Sequence, residues 1–110
     1  MSDLSAEDAK IVTLARAARA RTAAPAGAAV RDTDGRTYSA TPVALPSIQL
    51  TATQLAVAVA ASSGAAGLEA VATDMDLTDD DMRAVRDLGG SGVSVIVVDR
   101  RGQVTSTRHT

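Results

Sequence analysis

The stretch "LTATQLAVAVAASSG", Leu50 to Gly64, decides the fold. From Thr51 to Ser63 it is apolar nearly all round, the pattern of a helix expected to be buried on several sides. Gly64 is a natural stop, because glycine takes the left-handed conformation at a helix C-terminus without strain. The opening turn carries Thr51, Thr53, Gln54 and Leu55. It therefore offers hydroxyls, an amide and an alkyl group, with no acid, imidazole or thiol.

Upstream, Ala28 to Arg31 reads as a short strand and Asp34-Gly35 as a hairpin turn. Arg36 to Val43 reads as the returning strand, with Tyr38 inside it. Pro42 near its end marks an edge strand or one leaving the sheet. "LPSIQL", Leu45 to Leu50, reads as a loop. Before the hairpin, Ser5-Ala6-Glu7-Asp8 has the form of a capping box. A helix follows it to about Arg21, with Leu4, Ile11, Leu14, Ala15 and Ala18 as its apolar stripe.

Downstream, Leu68 to Thr73 is a strand and Asp74 to Leu77 a loop. Thr78 caps a third helix with Met82, Val85 and Leu88 on its inner face, and Gly89-Gly90 ends it. Val93 to Val98 is unbroken apolar sequence, which implies burial on both faces between helix layers. Arg101-Gly102 makes a turn, and Gln103 to Thr107 a short edge strand. A hairpin followed by alternating strands and helices implies a mixed sheet with helices on both faces, in one domain over residues 1–110.

Composition narrows the function. The chain has 110 residues, a net charge of -2 and 45% hydrophobic residues, an ordinary globular balance. No apolar run is long enough to span a bilayer. The start, Met1-Ser2-Asp3-Leu4, is polar and acidic rather than a secretory signal, so a cytoplasmic location is expected. There is no cysteine, which removes disulfides, thiol catalysis and thiolate-bound zinc. The one histidine is His109. No Ser-His-Asp or His-metal cluster assembles in one chain unless His109 reaches back into a pocket. Arginine heavily outnumbers lysine, as in GC-rich bacterial genomes.

The apolar residues are mostly Ala and Val, with Tyr38 the one aromatic. An alanine methyl gains about 0.8 kcal/mol on burial against about 2–3 for Leu or Ile. Ordering each residue costs about 1.5 kcal/mol. A core so poor in large side chains is marginal alone, so a homo-oligomer, dimer or tetramer, is expected.

At this point the sequence resembles the small homotetrameric zinc cytidine deaminases. The likeness is strongest from Asp34 to Gly64, in the Gly-Arg-x-Tyr of the hairpin, Leu50-Thr51, Val57-Ala58 and the terminal Ser-x-Gly of the helix. The resemblance implies a three-layer α-β-α cytidine deaminase-like fold: a mixed sheet of about five strands, with an N-terminal antiparallel hairpin. It also locates the family's working residues. The zinc ligand falls on Thr53 and the Glu general acid/base on Leu55. The two sugar-gripping residues fall on Pro42 and Ala44, and the later cysteine ligands near Asp79 and Met82. Zinc lowers the pKa of bound water from about 15.7 to about 7, a stabilisation of roughly 12 kcal/mol. A threonine and an alkyl group supply none of it. The expectation is a catalytically inactive member, with no catalytic, substrate-binding or metal residues and no cofactor. Pro42, Ala44, Thr53 and Leu55 are expected to line a small apolar vestige of the pocket.

Other candidates have plainer explanations. Asp79, Asp80 and Asp81, with Asp74 and Asp76, resemble an oxygen-ligand metal site, yet acids in a first helical turn complement the helix dipole. Arg16, Arg19, Arg21, Arg100, Arg101 and Arg108 form a candidate basic surface. With a net negative chain and one aromatic, nucleic-acid binding is not expected. Tyr38 is better read as a packing residue than as a stacking platform. The function expected is a binding or structural oligomeric module. The alternatives are a divergent zinc-independent hydrolase or nucleotide-binding protein, and an RNA- or protein-partner-binding module.

Overall fold

The N-terminal antiparallel hairpin is formed by β1 (Ala28–Asp32) and β2 (Thr37–Ala40), with Val30 opposite Tyr38. The computed structural model describes residues 4–110; residues 1–3, which carry most of the polar start, lie outside them. The amide of Gly35 donates to the Asp32 carbonyl at 3.0 Å, and Gly35 takes φ +85° to close the turn. Beyond β2 the chain leaves the sheet. The strand expected to run to Val43 ends at Ala40, because Pro42 has no N–H to extend the ladder.

The expected loop at Leu45 to Leu50 is instead half of a second hairpin. Its strands are β3 (Val43–Ala44) and β4 (Gln49–Leu50), with Val43 opposite Leu50. Leu45 and Ile48 exchange backbone hydrogen bonds of 2.8 and 3.3 Å around the Pro46-Ser47 turn. The alternation Val43, Leu45, then Ile48, Leu50 is the period-2 pattern of a ribbon that the turn residues obscured.

The main sheet has the order β2-β1-β5-β6-β7, where β5 is Leu68–Thr73, β6 is Ser94–Val98 and β7 is Val104–His109. Only β5 and β6 run parallel. One face is covered by α1 (Ala6–Thr22), whose Ile11, Val12 and Ala15 meet Ala29, Ala70, Ala72 and Ile96. The other is covered by α2 (Ala52–Ser62) and α3 (Asp79–Gly89), whose Ala56, Ala60 and Val85 meet Val30, Val71 and Val95. The three-layer α-β-α arrangement is therefore the one expected, with β6 buried on both faces as its sequence implied.

The alanines on the α1 side let helix and sheet approach closely. A Cβ on Gly27 would lie 2.0 Å from the Ala15 carbonyl oxygen, so only glycine fits there. Ser5 caps α1 by accepting from the Asp8 amide at 3.1 Å. The expected capping box is only half made: the Asp8 carboxylate reaches Arg31 on β1 at 3.0 Å.

One expectation holds and another changes. Gly64 stops α2 as expected, taking φ +94° immediately after the C-cap residue Ser63. The Ala65 amide then donates to the Ala60 carbonyl, closing the helix end. And α2 is not buried all round in a single chain: Ala58, Val59, Ala61 and Ser62 are exposed. Among the described residues no helix is long and apolar enough to cross a membrane.

Candidate functional site

The first turns of α2 and α3 meet at one end of the sheet, beside Ala26 just before β1 and Thr73 at the end of β5. Each begins with a complete capping box. The Thr51 hydroxyl accepts from the Gln54 amide at 3.0 Å, and the Thr51 amide donates to the Gln54 side-chain oxygen at 2.9 Å. Likewise the Thr78 hydroxyl accepts from the Asp81 amide at 3.1 Å, and the Thr78 amide donates to the Asp81 carboxylate at 3.0 Å. The two boxes are joined, because the Thr51 hydroxyl donates its proton to the other Asp81 oxygen at 2.5 Å. Asp81 is buried, so this charge-assisted bond sits in a site with little water to compete.

Two clefts open beside this junction. The deeper, about 320 Å³ of empty space with its mouth included, is bounded by Thr51, Thr53, Thr73, Asp76 and Asp81, with Met75 at the rim. The shallower, about 870 Å³ and wide open, lies between the β3–β4 hairpin and the start of α3. Its walls include Pro42, Ala44, Gln49, Thr78 and Asp80. Thr51 and Thr78, the two capping threonines, are common to both.

The four residues expected to line one vestigial pocket are thus not brought together. Thr53, only 3% exposed, faces the deeper cleft. Pro42 and Ala44 face the shallower one. Leu55 faces neither: it is half-buried against the larger core cluster, because its place on the helix turns it towards packing rather than the cleft.

The model of the cytidine deaminase-like proteins matches residues 4–102. The chain belongs to the cytidine deaminase-like family. Its fold is similar to that of the cytidine deaminase from Mycobacterium leprae, at 19% identity and a TM-score of 0.74, covering 91% of this chain and 90% of that one. The cytidine deaminase from Burkholderia pseudomallei gives 20% identity and a TM-score of 0.76, covering 92% and 89%. That from Mycobacterium tuberculosis gives 22% and 0.68, covering 86% and 85%. At these identities the likeness is one of fold. No curated protein matches the sequence.

Zinc is the metal that the cytidine deaminase-like resemblance brings to the meeting of these helices, and the residues there do not fit it. Thr53 offers a neutral hydroxyl. Met82 offers a thioether that packs against the core. Asp79 is exposed. The carboxylate that does point inward, Asp81, already serves Thr51 and Thr78. Tetrahedral zinc needs thiolate, imidazole or free carboxylate donors in number. Among the described residues no three His, Cys, Asp or Glu side chains converge.

The remaining candidates are dispersed. Asp74 is not part of an acidic cluster. It accepts from the Gly27 amide at 2.9 Å and lies 2.7 Å from Arg19 Nε. That N–H is not aimed at the oxygen, so charge attraction rather than a directed hydrogen bond holds the pair; neither atom has another hydrogen-bond partner. Asp80 pairs with Arg83 on the helix surface. Arg16 donates to the Arg100 carbonyl at 3.2 Å and lies over Gly102, whereas Arg108 stands opposite Val95, on the α2–α3 face. The arginines therefore do not form one surface. His109 is exposed on β7, opposite Ser94, and lines neither cleft described above.

Tyr38 is half-buried against the core, and its hydroxyl donates to Asp32 at 2.9 Å. Asp32 also accepts from the amides of Asp34 and Arg36, both at 2.9 Å. Burial pushes the Asp32 carboxyl up. The Arg36 amide, the Tyr38 hydroxyl, the Asp34 amide and the Arg36 charge together outweigh it and hold the group below its ordinary value. The same hydrogen bond, then burial, raises Tyr38.

Proposed function

We propose that this protein is a catalytically inactive cytidine deaminase-like domain that acts in the cytoplasm as a binding or structural module within a homo-oligomer. The observation that carries the reading is the Thr51–Asp81–Thr78 junction. Where the family's chemistry needs a metal and a proton carrier, this chain has two capping boxes joined by one hydrogen bond, with Thr53 and Leu55 beside them. Neither side chain generates a hydroxide or moves a proton to a pyrimidine at neutral pH.

The oligomeric part is supported by the core itself. The largest fully buried side chains are Ile11 and Ile96, followed by valines. Such a core gains from any further apolar area that association covers.

Deamination of cytidine and metal content, measured on material purified without a histidine tag, test the first part together. The expected result is no ammonia release above the uncatalysed rate and far less than one zinc per chain. Chelator-sensitive deamination with stoichiometric zinc would overturn the reading.

A further inference from the structure

Four threonines line the deeper cleft, and three of them are committed. Thr51 and Thr78 cap their helices, and the Thr73 hydroxyl donates to the Gly27 carbonyl at 3.0 Å. A threonine inside a helix can donate to the carbonyl four residues back, as Thr13 does to Ala9 and Thr22 to Ala18, both at 3.1 Å. Thr53 is the second residue of α2, so no helical turn lies beneath it, and among the described residues its hydroxyl has no partner. The residue is only 3% exposed, yet the hydroxyl is not sealed. Among the described residues, the side-chain polar atoms that are both sealed and unpartnered are Arg19 Nε and Asp74 Oδ2. The Thr53 hydroxyl therefore opens into the cleft.

We infer that the deeper cleft binds a small uncharged molecule bearing a primary carboxamide, its carbonyl on the end of α2, its NH2 group on Asp81 and a short apolar tail against Met75. The inference rests on the reading above of the protein as a binding module and names the ligand class. The α2 end supplies donors. The Gln54 amide is taken by the Thr51 hydroxyl and the Leu55 amide by the Thr51 carbonyl, which leaves the N–H groups of Ala52 and Thr53 free at the positive end of the helix. The Thr53 hydroxyl stands beside them and can donate or accept. Asp81 supplies the acceptor: each of its oxygens takes one bond within the protein and has capacity for another. The charged residues of the lining are Asp76 and Asp81, both acids, so an anion at the α2 end would meet repulsion. An alkylammonium would suit Asp81 but brings no acceptor for the α2 amides. A carboxamide carries acceptor and donors side by side and buries no charge. The cleft, about 320 Å³ with its mouth, has room for an amide of a few carbons, and Met75 at the rim is 50% exposed and free to cover its tail.

Titration of the isotope-labelled full chain with propionamide, followed by NMR, tests this. Propionamide is expected to shift the amide signals of Ala52, Thr53 and Asp81 saturably, with a Kd of about 1–10 mM for so small a molecule. Propionate, of the same shape but negatively charged, and propylammonium, without the carbonyl, are expected to bind at least about 10-fold more weakly. Thr53→Val, which keeps the shape and removes the hydroxyl, is expected to weaken propionamide about 10-fold, and Thr53→Ser to stay within about 3-fold of the wild type. The three probes are compared on the unaltered chain, so that comparison stands whether or not the variants fold. No saturable shift up to about 100 mM propionamide overturns the inference. So does equal binding of propionate or propylammonium, or a folded Thr53→Val that binds as tightly as the wild type. Cytidine shifting the same signals at lower concentration than propionamide also overturns it, by making the cleft a nucleoside site. Each of these failures leaves the inactive reading standing, because that reading falls on chelator-sensitive deamination with stoichiometric zinc.

Discussion

Thr51 and Asp81 are 2.5 Å apart, oxygen to oxygen, and through them the caps of two helices become one unit. The hydroxyl of Thr51 is used twice, accepting from its own helix and donating to the next. The carboxylate of Asp81 is likewise shared, one oxygen for its own cap and one for Thr51. Neither residue can change without exposing a polar group of the other.

Thr51→Val is therefore expected to cost about 2–3 kcal/mol, combining loss of a cap with loss of a bond to a buried carboxylate. Thr51→Ser, which keeps the hydroxyl, is expected to lose less than about 1 kcal/mol. Urea unfolding of Thr51→Val, Asp81→Ala and the double variant gives the coupling directly, and a value of about 1–3 kcal/mol is expected for residues in one network. Additive single effects would mean that the junction does not hold the two helices together.

Much of this architecture is legible in the residues, and the omissions have physical causes. The helix stripes and the Asp34-Gly35 turn are local signals, and the helices and the main sheet formed where they pointed. The junction was also written locally: Thr51-x-x-Gln54 and Thr78-x-x-Asp81 are both capping-box patterns. What hid it was the run Asp79, Asp80, Asp81, which reads as three equal acids until helical rotation turns only Asp81 inward. Arg19 and Asp74 lie on separate elements with no local signal between them, so their pairing follows only from the fold. The β3–β4 hairpin is hidden in the sequence because Pro42 and Pro46 read as breakers, although Val43, Leu45, Ile48 and Leu50 alternate correctly for a ribbon.

The Arg19–Asp74 pair sets a second expectation. Asp74 is almost wholly buried, while the Arg19 side chain is 20% exposed. Arg19→Ala leaves the carboxylate with the Gly27 amide as its remaining partner. Breaking a buried pair from one side costs about 3–5 kcal/mol, and the partial exposure of Arg19 places this case at the lower end, about 3 kcal/mol. Denaturant midpoints would check it, and a loss below about 1 kcal/mol would mean that water already serves Asp74.

Gly27 sets a third. Any Cβ there meets the Ala15 carbonyl oxygen at 2.0 Å, and both atoms belong to backbone. Gly27→Ala must push α1 away from β1, opening the alanine-lined seam along Ala29, Ala70 and Ala72. The expected loss is about 3 kcal/mol or more, seen as a lowered thermal midpoint or insoluble expression. Gly64→Ala, which meets no atom within 4 Å but needs φ +94°, is expected to lose only about 1 kcal/mol.

The hairpin carboxylate gives a pH dependence with a definite sign. Asp32 is held below its ordinary pKa in the folded chain, so between the folded and unfolded values the unfolded state binds more protons. Its contribution is fully present above the unfolded value, near pH 4, and is lost as the pH falls through the folded value. Tyr38 shifts the other way: raised when folded, it contributes up to its unfolded value, near pH 10, and loses that contribution as the pH climbs through the folded one. Tyr38→Phe removes one of the hydrogen bonds that depress Asp32, so it is expected to flatten the acid limb of the stability profile and abolish the tyrosine part of the alkaline limb. Asp32→Asn is expected to remove its share of the acid limb and, with the charge gone, to bring Tyr38 back towards its ordinary range. Urea unfolding from below pH 4 to above pH 10 resolves both limbs in one series. An acid limb identical in the wild type and both variants would mean that Asp32 is as free in the folded chain as in the unfolded one.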